Sequence, residues 1–357
     1  MRKLVLRPAR GVLAALVLLA PLSAAAGDHS RRFTSFDVPG IGFGKMLVSW
    51  HGTAAVNYFT DDLKAHCFIR EADGTLTIFD FPGADSTTCH YLFPDGTIVG
   101  QYVMPPEPGG GLAESGSFRR GRDGDISVVT LPGWSISAWS GAPTGAIVGV
   151  ASRDGANKVF LRKPGGKTLL FRVPGTTADS ILFPFATNSL GAVAGTYVDV
   201  VGDVFSFHTF LRKPDGRFAS FDPPGSSWDW VNVSGMSEAG TIAGWYRALP
   251  ESPARGFLRT TKGQLLGIDP PGALETLVSD MSSTGVAVGS YRVDESTVLG
   301  FLRFPDGSIA SYRAPVEGVQ WTSIEAIAAN GTMAGFYLDP AGTLTHYFVA
   351  FAPRQRR

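Results

Sequence analysis

Gly-Thr-Ile-Ala-Gly-Trp-Tyr at residues 240–246 decides the fold, because the chain keeps returning to it. The same pattern reads Gly-Thr-Ile-Val-Gly-Gln-Tyr (96–102), Gly-Ala-Val-Ala-Gly-Thr-Tyr (191–197), Gly-Val-Ala-Val-Gly-Ser-Tyr (285–291) and Gly-Thr-Met-Ala-Gly-Phe-Tyr (331–337). Gly145–Ala151 keeps the second Gly but ends in Ala151, and Gly52–Tyr58 keeps the Tyr but has Val56 in the Gly slot. The turn glycines are 52, 96, 145, 191, 240, 285 and 331, so the period is (331 − 52)/6, about 46 residues. Periods near this length belong to repeated four-stranded units.

Around 240–246 the unit can be read in full. Trp230–Met236 is an apolar-rich strand, Ser237–Gly240 a turn, and Thr241–Tyr246 a second strand. After a loop, Gly256–Arg259 is a third strand, Thr261–Gly263 a turn, and Gln264–Asp269 a fourth. Pro270-Pro271-Gly272 then ends the ladder, since Pro has no N–H to give it. The third strand recurs as Phe68-Ile-Arg70, Phe118-Arg-Arg120, Phe160-Leu-Arg162, Phe210-Leu-Arg212, Phe257-Leu-Arg259, Phe301-Leu-Arg303 and Phe348-Val-Ala350. Pro-Gly crossovers recur at 39–40, 82–83, 132–133, 174–175, 224–225 and 271–272, with Pro315 and Gly318 as a looser seventh. This pattern predicts an all-β chain: a seven-bladed β-propeller of four-stranded blades. The chain opens on a fourth-type strand, Phe33–Asp37, and closes on a third-type strand near Tyr347–Phe351. Pairing the two completes the last blade and removes two open sheet edges.

The motifs resemble the extracellular HAF-type repeat proteins of bacteria over Phe33 to Phe351, through signatures such as Asn188–Tyr197 and His208–Arg212. The resemblance implies an exported repeat fold. It brings no catalytic residues with it.

The ends and composition set further bounds. Arg2, Lys3, Arg7 and Arg10 precede an apolar stretch from Gly11 to Leu22, and Ala24-Ala25-Ala26 follows. That is the layout of a secretory signal, residues 1–26, with a mature start at Gly27 and a secreted or periplasmic destination. A single propeller is expected over 30–353, followed by a basic tail, 354–357. No later segment is apolar and long enough to be read as a membrane helix. Gly (44) and Pro (24) are abundant, and only 17% of residues are charged, with zero net charge. Together with the period, they punctuate strands. The even charge balance gives nucleic acid no electrostatic footing.

No catalytic or cofactor motif stands out: there is no Gly-x-Ser-x-Gly elbow, phosphate-binding loop or His-Glu-x-x-His. No cofactor and no metal site are expected. Gly109–Gly111 reads as a loop insertion. His66, His208 and His346 share one repeat position, which points to packing or loop hydrogen bonds. His66-Cys67 and Cys89-His90 leave three arrangements open: a Cys67–Cys89 disulfide, two buried thiols, or a metal site. Alternation along a strand disfavours the last. Asp37, Asp80, Asp222 and Asp269 precede Pro-Gly steps and are expected to cap those turns.

Crossovers and the loops between second and third strands share one face of a propeller. That face is expected to gather Trp134, Trp228, Trp230 and Trp321 with loop carboxylates Asp61, Asp62, Asp154, Asp199, Asp203, Asp294 and Asp339. Two readings of these Trp stay open: they cap hydrophobic gaps between blades, or, as aromatic platforms beside polar groups, they suit a glycan, peptide or protein ligand. Two functions follow from the sequence. The first is an exported binding or structural scaffold. The alternative is an extracellular or periplasmic hydrolase or lyase working at the channel mouth, with polysaccharide as one substrate class.

Overall fold

The computed structural model describes residues 33–107, 113–202, 204–223, 231–249 and 251–352. The leader, the basic tail, the Gly109–Gly111 insertion, Asp203, Trp228 and Trp230 lie outside these residues. The described strands form seven four-stranded antiparallel sheets, so the chain is a seven-bladed β-propeller. Blade 1 holds Ile41–Val48, Ala54–Phe59, Ala65–Arg70 and Leu76–Phe79, from the channel outward. The innermost strands of blades 2 to 7 are Ser86–Leu92, Ser135–Gly141, Ile181–Thr187, Val231–Met236, Glu275–Met281 and Thr322–Ile327. Among the described residues, no helix is long and apolar enough to cross a membrane.

Blade 7 is completed by the start of the described chain. Phe33–Phe36 pairs antiparallel with Thr345–Phe351, with Phe33 opposite Ala350 and Phe36 opposite Tyr347. Phe33 stacks on Phe348 at 5.4 Å, and Phe36 reaches Phe68 of blade 1 at 6.4 Å. The closing strand therefore packs against both blades it lies between.

Each repeated residue has a physical task. The repeated Phe of the third strand anchors the core of its blade: Phe118, Phe160, Phe301 and Phe348 are fully buried. Each such burial contributes about 2 kcal/mol. The turn glycines hold φ between +85° and +95°, a region that residues with a Cβ rarely occupy. The Arg after Phe-Leu clamps the preceding blade. Arg70, Arg120, Arg212 and Arg259 lie over Phe36, Phe79, Phe171 and Phe221 at 4.9–5.9 Å, cation–π contacts between neighbouring blades.

Cys67 and Cys89 form a disulfide between the third strand of blade 1 and the first strand of blade 2. Beside it, Asn57 both donates to and accepts from the Cys89 backbone, at 3.0 and 2.8 Å.

Three of the four Asp residues before Pro-Gly do not act mainly as turn caps. Asp37, Asp80 and Asp222 instead meet His346, His66 and His208 at 2.6, 2.8 and 3.1 Å. Each imidazole also lies against the repeat Tyr, namely Tyr337, Tyr58 and Tyr197, at 5.1–5.3 Å. The side chain crosses from the crossover to the third strand, where the imidazole is half-buried. The shared His position is thus a polar latch between strands three and four.

Candidate functional site in the central channel

The second Gly of the repeat explains the channel. A Cβ at Gly100, Gly149, Gly195, Gly244, Gly289 or Gly335 would sit 1.9–2.1 Å from a carbonyl oxygen of the innermost strand. The innermost strand crowds in because it carries a β-bulge at that level. The ladder slips between Cys89 and Tyr91, Ala138 and Ser140, Phe183 and Ala186, Val233 and Gly235, Val278 and Asp280, and Ile324 and Ala326. In blade 1 the slip runs from Phe43 to Leu47, opposite Val56. The one blade without the Gly therefore has a longer bulge.

A bulge re-aims a side chain. Lys45, His90, Trp139, Phe185, Ser234, Ser279 and Glu325, one from each bulge, all line a single cavity of about 560 Å³. Trp321, Trp245 and Phe336 also line it, on the side of the crossovers. A second cavity of about 320 Å³ lies toward the turns between first and second strands and shares Lys45, Ser140, Phe185 and Ser234 with the first. The bulge ring is thus the waist of the channel.

The waist has two kinds of wall. From blade 2 to blade 4 it is aromatic. His90 meets Trp139 edge to face at 5.2 Å, and Trp139 meets Phe183 and Phe185, each at 5.9 Å. Burial pushes the His90 imidazole down to about 4, so it is neutral at physiological pH. Its Nε2 shares a 3.0 Å hydrogen bond with the Thr88 hydroxyl. The Trp139 Nε1–H is buried and has no hydrogen-bond partner among the described residues.

From blade 5 round to blade 1 the wall is polar. Lys45 reaches across to Asp280 at 2.8 Å and donates to the Ser234 carbonyl at 3.5 Å. The other oxygen of Asp280 accepts from the Ile327 N–H at 3.1 Å, which ties blade 6 to blade 7. Glu325 is half-buried, and desolvation pushes its carboxyl above the usual range. Hydrogen bonds from Ser323 and Ser279 and the charge of Lys45 act in the opposite direction.

The residues expected on the crossover face are dispersed. Trp321 is half-exposed and lines the larger cavity. Trp134 lines neither cavity; Arg153 and Lys158 lie over its ring at 4.6 and 5.3 Å. Asp294 caps its own loop through the N–H groups of Ser296 and Thr297 at 2.9 Å. Asp339 does the same with Thr343 and Leu344 at 2.6 and 2.7 Å. Asp199 accepts from Ser180 at 2.5 Å, and Asp61 is exposed in a turn. Among the described residues, no group of three or more His, Cys, Asp or Glu is placed to hold a metal.

Reading the sequence by motif passed over Lys45, Trp139, Phe185, Ser234, Ser279, Asp280 and Glu325. A signal was present. His90, Trp139, Phe185, Ser234, Ser279 and Glu325 each stand six residues before a turn Gly, and the column runs from aromatic rings through two serines to a carboxylate.

No protein-family model matches this chain, and no curated protein matches it. Solved structures do resemble it. Virginiamycin B lyase from Staphylococcus aureus aligns with TM-score 0.53 at 12% identity, over 90% of this chain and 99% of that one. A streptogramin B lyase aligns with TM-score 0.51 at 11% identity, over 91% of this chain and all of that one. The β-propeller domain of the Trilobed protease from Pyrococcus furiosus aligns with TM-score 0.55 at 10% identity, over 87% and 93%. At these identities the likeness is one of fold.

Proposed function

We propose that the protein is an exported binding scaffold that holds its ligand in the larger channel cavity. The observation that carries this reading is the convergence of all seven bulge residues on that one cavity. The frame around them repeats, while the column itself varies. Variation confined to inward-facing positions is how a repeat scaffold acquires a specific site. A cavity of about 560 Å³ is also in the size range of small-ligand sites. Export accords with the leader-like start and with the Cys67–Cys89 disulfide.

A lyase or hydrolase is the second reading. It is favoured by a neutral imidazole, His90, in the same ring as an ammonium and a desolvated carboxyl. Both readings are tested on the mature chain from Gly27. Isothermal titration against arrays of glycans and peptides should find a ligand, and Ser279→Phe, which fills the cavity, should abolish its binding. Chromatography of the bound ligand after long incubation should recover it intact. Recovery of a cleaved product lost in a His90→Ala variant would replace the scaffold with the enzyme. Binding that is indifferent to Ser279→Phe would place the site elsewhere.

A further inference from the structure

Resting on the channel-binding reading, we propose that the larger cavity takes a short neutral oligosaccharide, with Trp139 as its anchor. Charge is the first argument. The one ammonium in the ring is already paired with Asp280 at 2.8 Å, and burial holds His90 neutral and drives Glu325 toward its neutral form. A phosphate, a sulfate or a charged peptide would enter a low-dielectric waist with no free counter-charge, which is costly.

Shape and polarity are the second. Trp139, Trp245 and Trp321 line the cavity together with Asn232, Ser279 and Ser290. Flat aromatic faces beside neutral hydroxyl and amide groups match a sugar ring, which has apolar C–H faces and a rim of hydroxyls. A wholly apolar ligand would bury those hydroxyls unpaired.

The third is Trp139 Nε1, a buried donor with no partner among the described residues. Buried polar groups of this kind are normally satisfied. An uncharged oxygen acceptor, a hydroxyl or ring oxygen, would satisfy it.

The test uses the mature chain and a panel of neutral tetrasaccharides: glucose-, xylose-, mannose- and N-acetylglucosamine-based. Oligogalacturonate and a neutral tetrapeptide serve as contrasting probes. Titration calorimetry should detect at least one neutral sugar, with an affinity that does not change between low and high salt. Trp139→Phe keeps an aromatic ring and deletes the donor, and should weaken binding roughly ten-fold. Trp321→Ala, at the half-exposed rim, should weaken it too without unfolding the protein. Trp134→Phe should leave it unchanged. Circular dichroism confirms that each variant folds. If oligogalacturonate or the peptide binds in place of every neutral sugar, and Trp139→Phe weakens that binding, the neutral-sugar inference falls and the channel site stands. If no probe binds, or if a sugar binds indifferently to both Trp139→Phe and Trp321→Ala, the inference falls as well.

Discussion

From blade 2 to blade 4 the channel waist presents His90, Trp139 and Phe185; from blade 5 to blade 1 it presents Ser234, Ser279, Glu325 and Lys45. The backbone beneath the two arcs is nearly the same: a bulged first strand, a Gly or its substitute opposite, and a Phe packed below. The chemistry above it shares almost nothing. Backbone geometry here is fixed by residues that face away from the channel, which leaves the inward column free to vary. The arcs also respond oppositely to protons. Burial holds His90 neutral by lowering its affinity for a proton, and holds Glu325 toward neutrality by raising it.

The strongest attack on this contrast is to damage the frame and leave the column alone. In Gly289→Ala the new Cβ would meet the Leu277 carbonyl at 1.9 Å, so the bulge must move. Urea denaturation should show a loss of about 3 kcal/mol or more. A loss under about 1 kcal/mol would mean that the Gly slot does not hold the bulge.

Acid should separate the arcs. His90 has its folded value near 4 against 6.5 when unfolded, so its contribution is complete above pH 6.5 and is lost as pH falls toward 4. The difference, 6.5 − 4, corresponds to about 3 kcal/mol across that window. His90→Phe should flatten the stability profile there by a large part of that amount. An unchanged slope would mean that His90 is solvated in the folded state.

The disulfide lies where the arcs meet, next to His90, and spans 22 residues. Replacing both Cys67 and Cys89 by Ala should lower stability by about 2 kcal/mol in chemical denaturation. A much smaller effect would show that the Asn57 bonds and the packing alone join blades 1 and 2.

Glu325→Gln should have the smallest effect, and in the favourable direction. Because the folded carboxyl resists ionisation, Glu325 costs stability as pH rises above its unfolded range. The amide should therefore raise stability at pH 8 and leave it unchanged at pH 4, read by urea denaturation at both pH values. A loss at pH 8 would show that the attraction of Lys45 outweighs desolvation.

Much of the frame was legible in the sequence. The period gave the blade count, and the phase of the first and last strands gave the closure by Phe33–Phe36. Strand limits were close: Trp230–Met236 was expected, and Val231–Met236 is observed. The site was much less legible. Motif reading looks for recurrence, and the bulge column is where recurrence stops. Trp139 and Glu325 occupy the same repeat position, yet nothing in residue type relates them; only the register slip turns both inward. Asp37, Asp80 and Asp222 were misjudged for a related reason. Turn chemistry is local, whereas their His partners lie 14 residues away in two blades and across the ring closure in the third.

The central claim is that in blades 2 to 7 the bulge turns its own side chain into the channel while the residue just before it stays buried in the frame. Thiol labelling tests it directly, because neither native cysteine is free. Ser279→Cys sits on the column, and Val278→Cys replaces a side chain that is 1% exposed. In the folded protein, a small maleimide should modify Ser279→Cys and leave Val278→Cys untouched until denaturant is added. Equal protection of both, or faster reaction at position 278, would contradict the account.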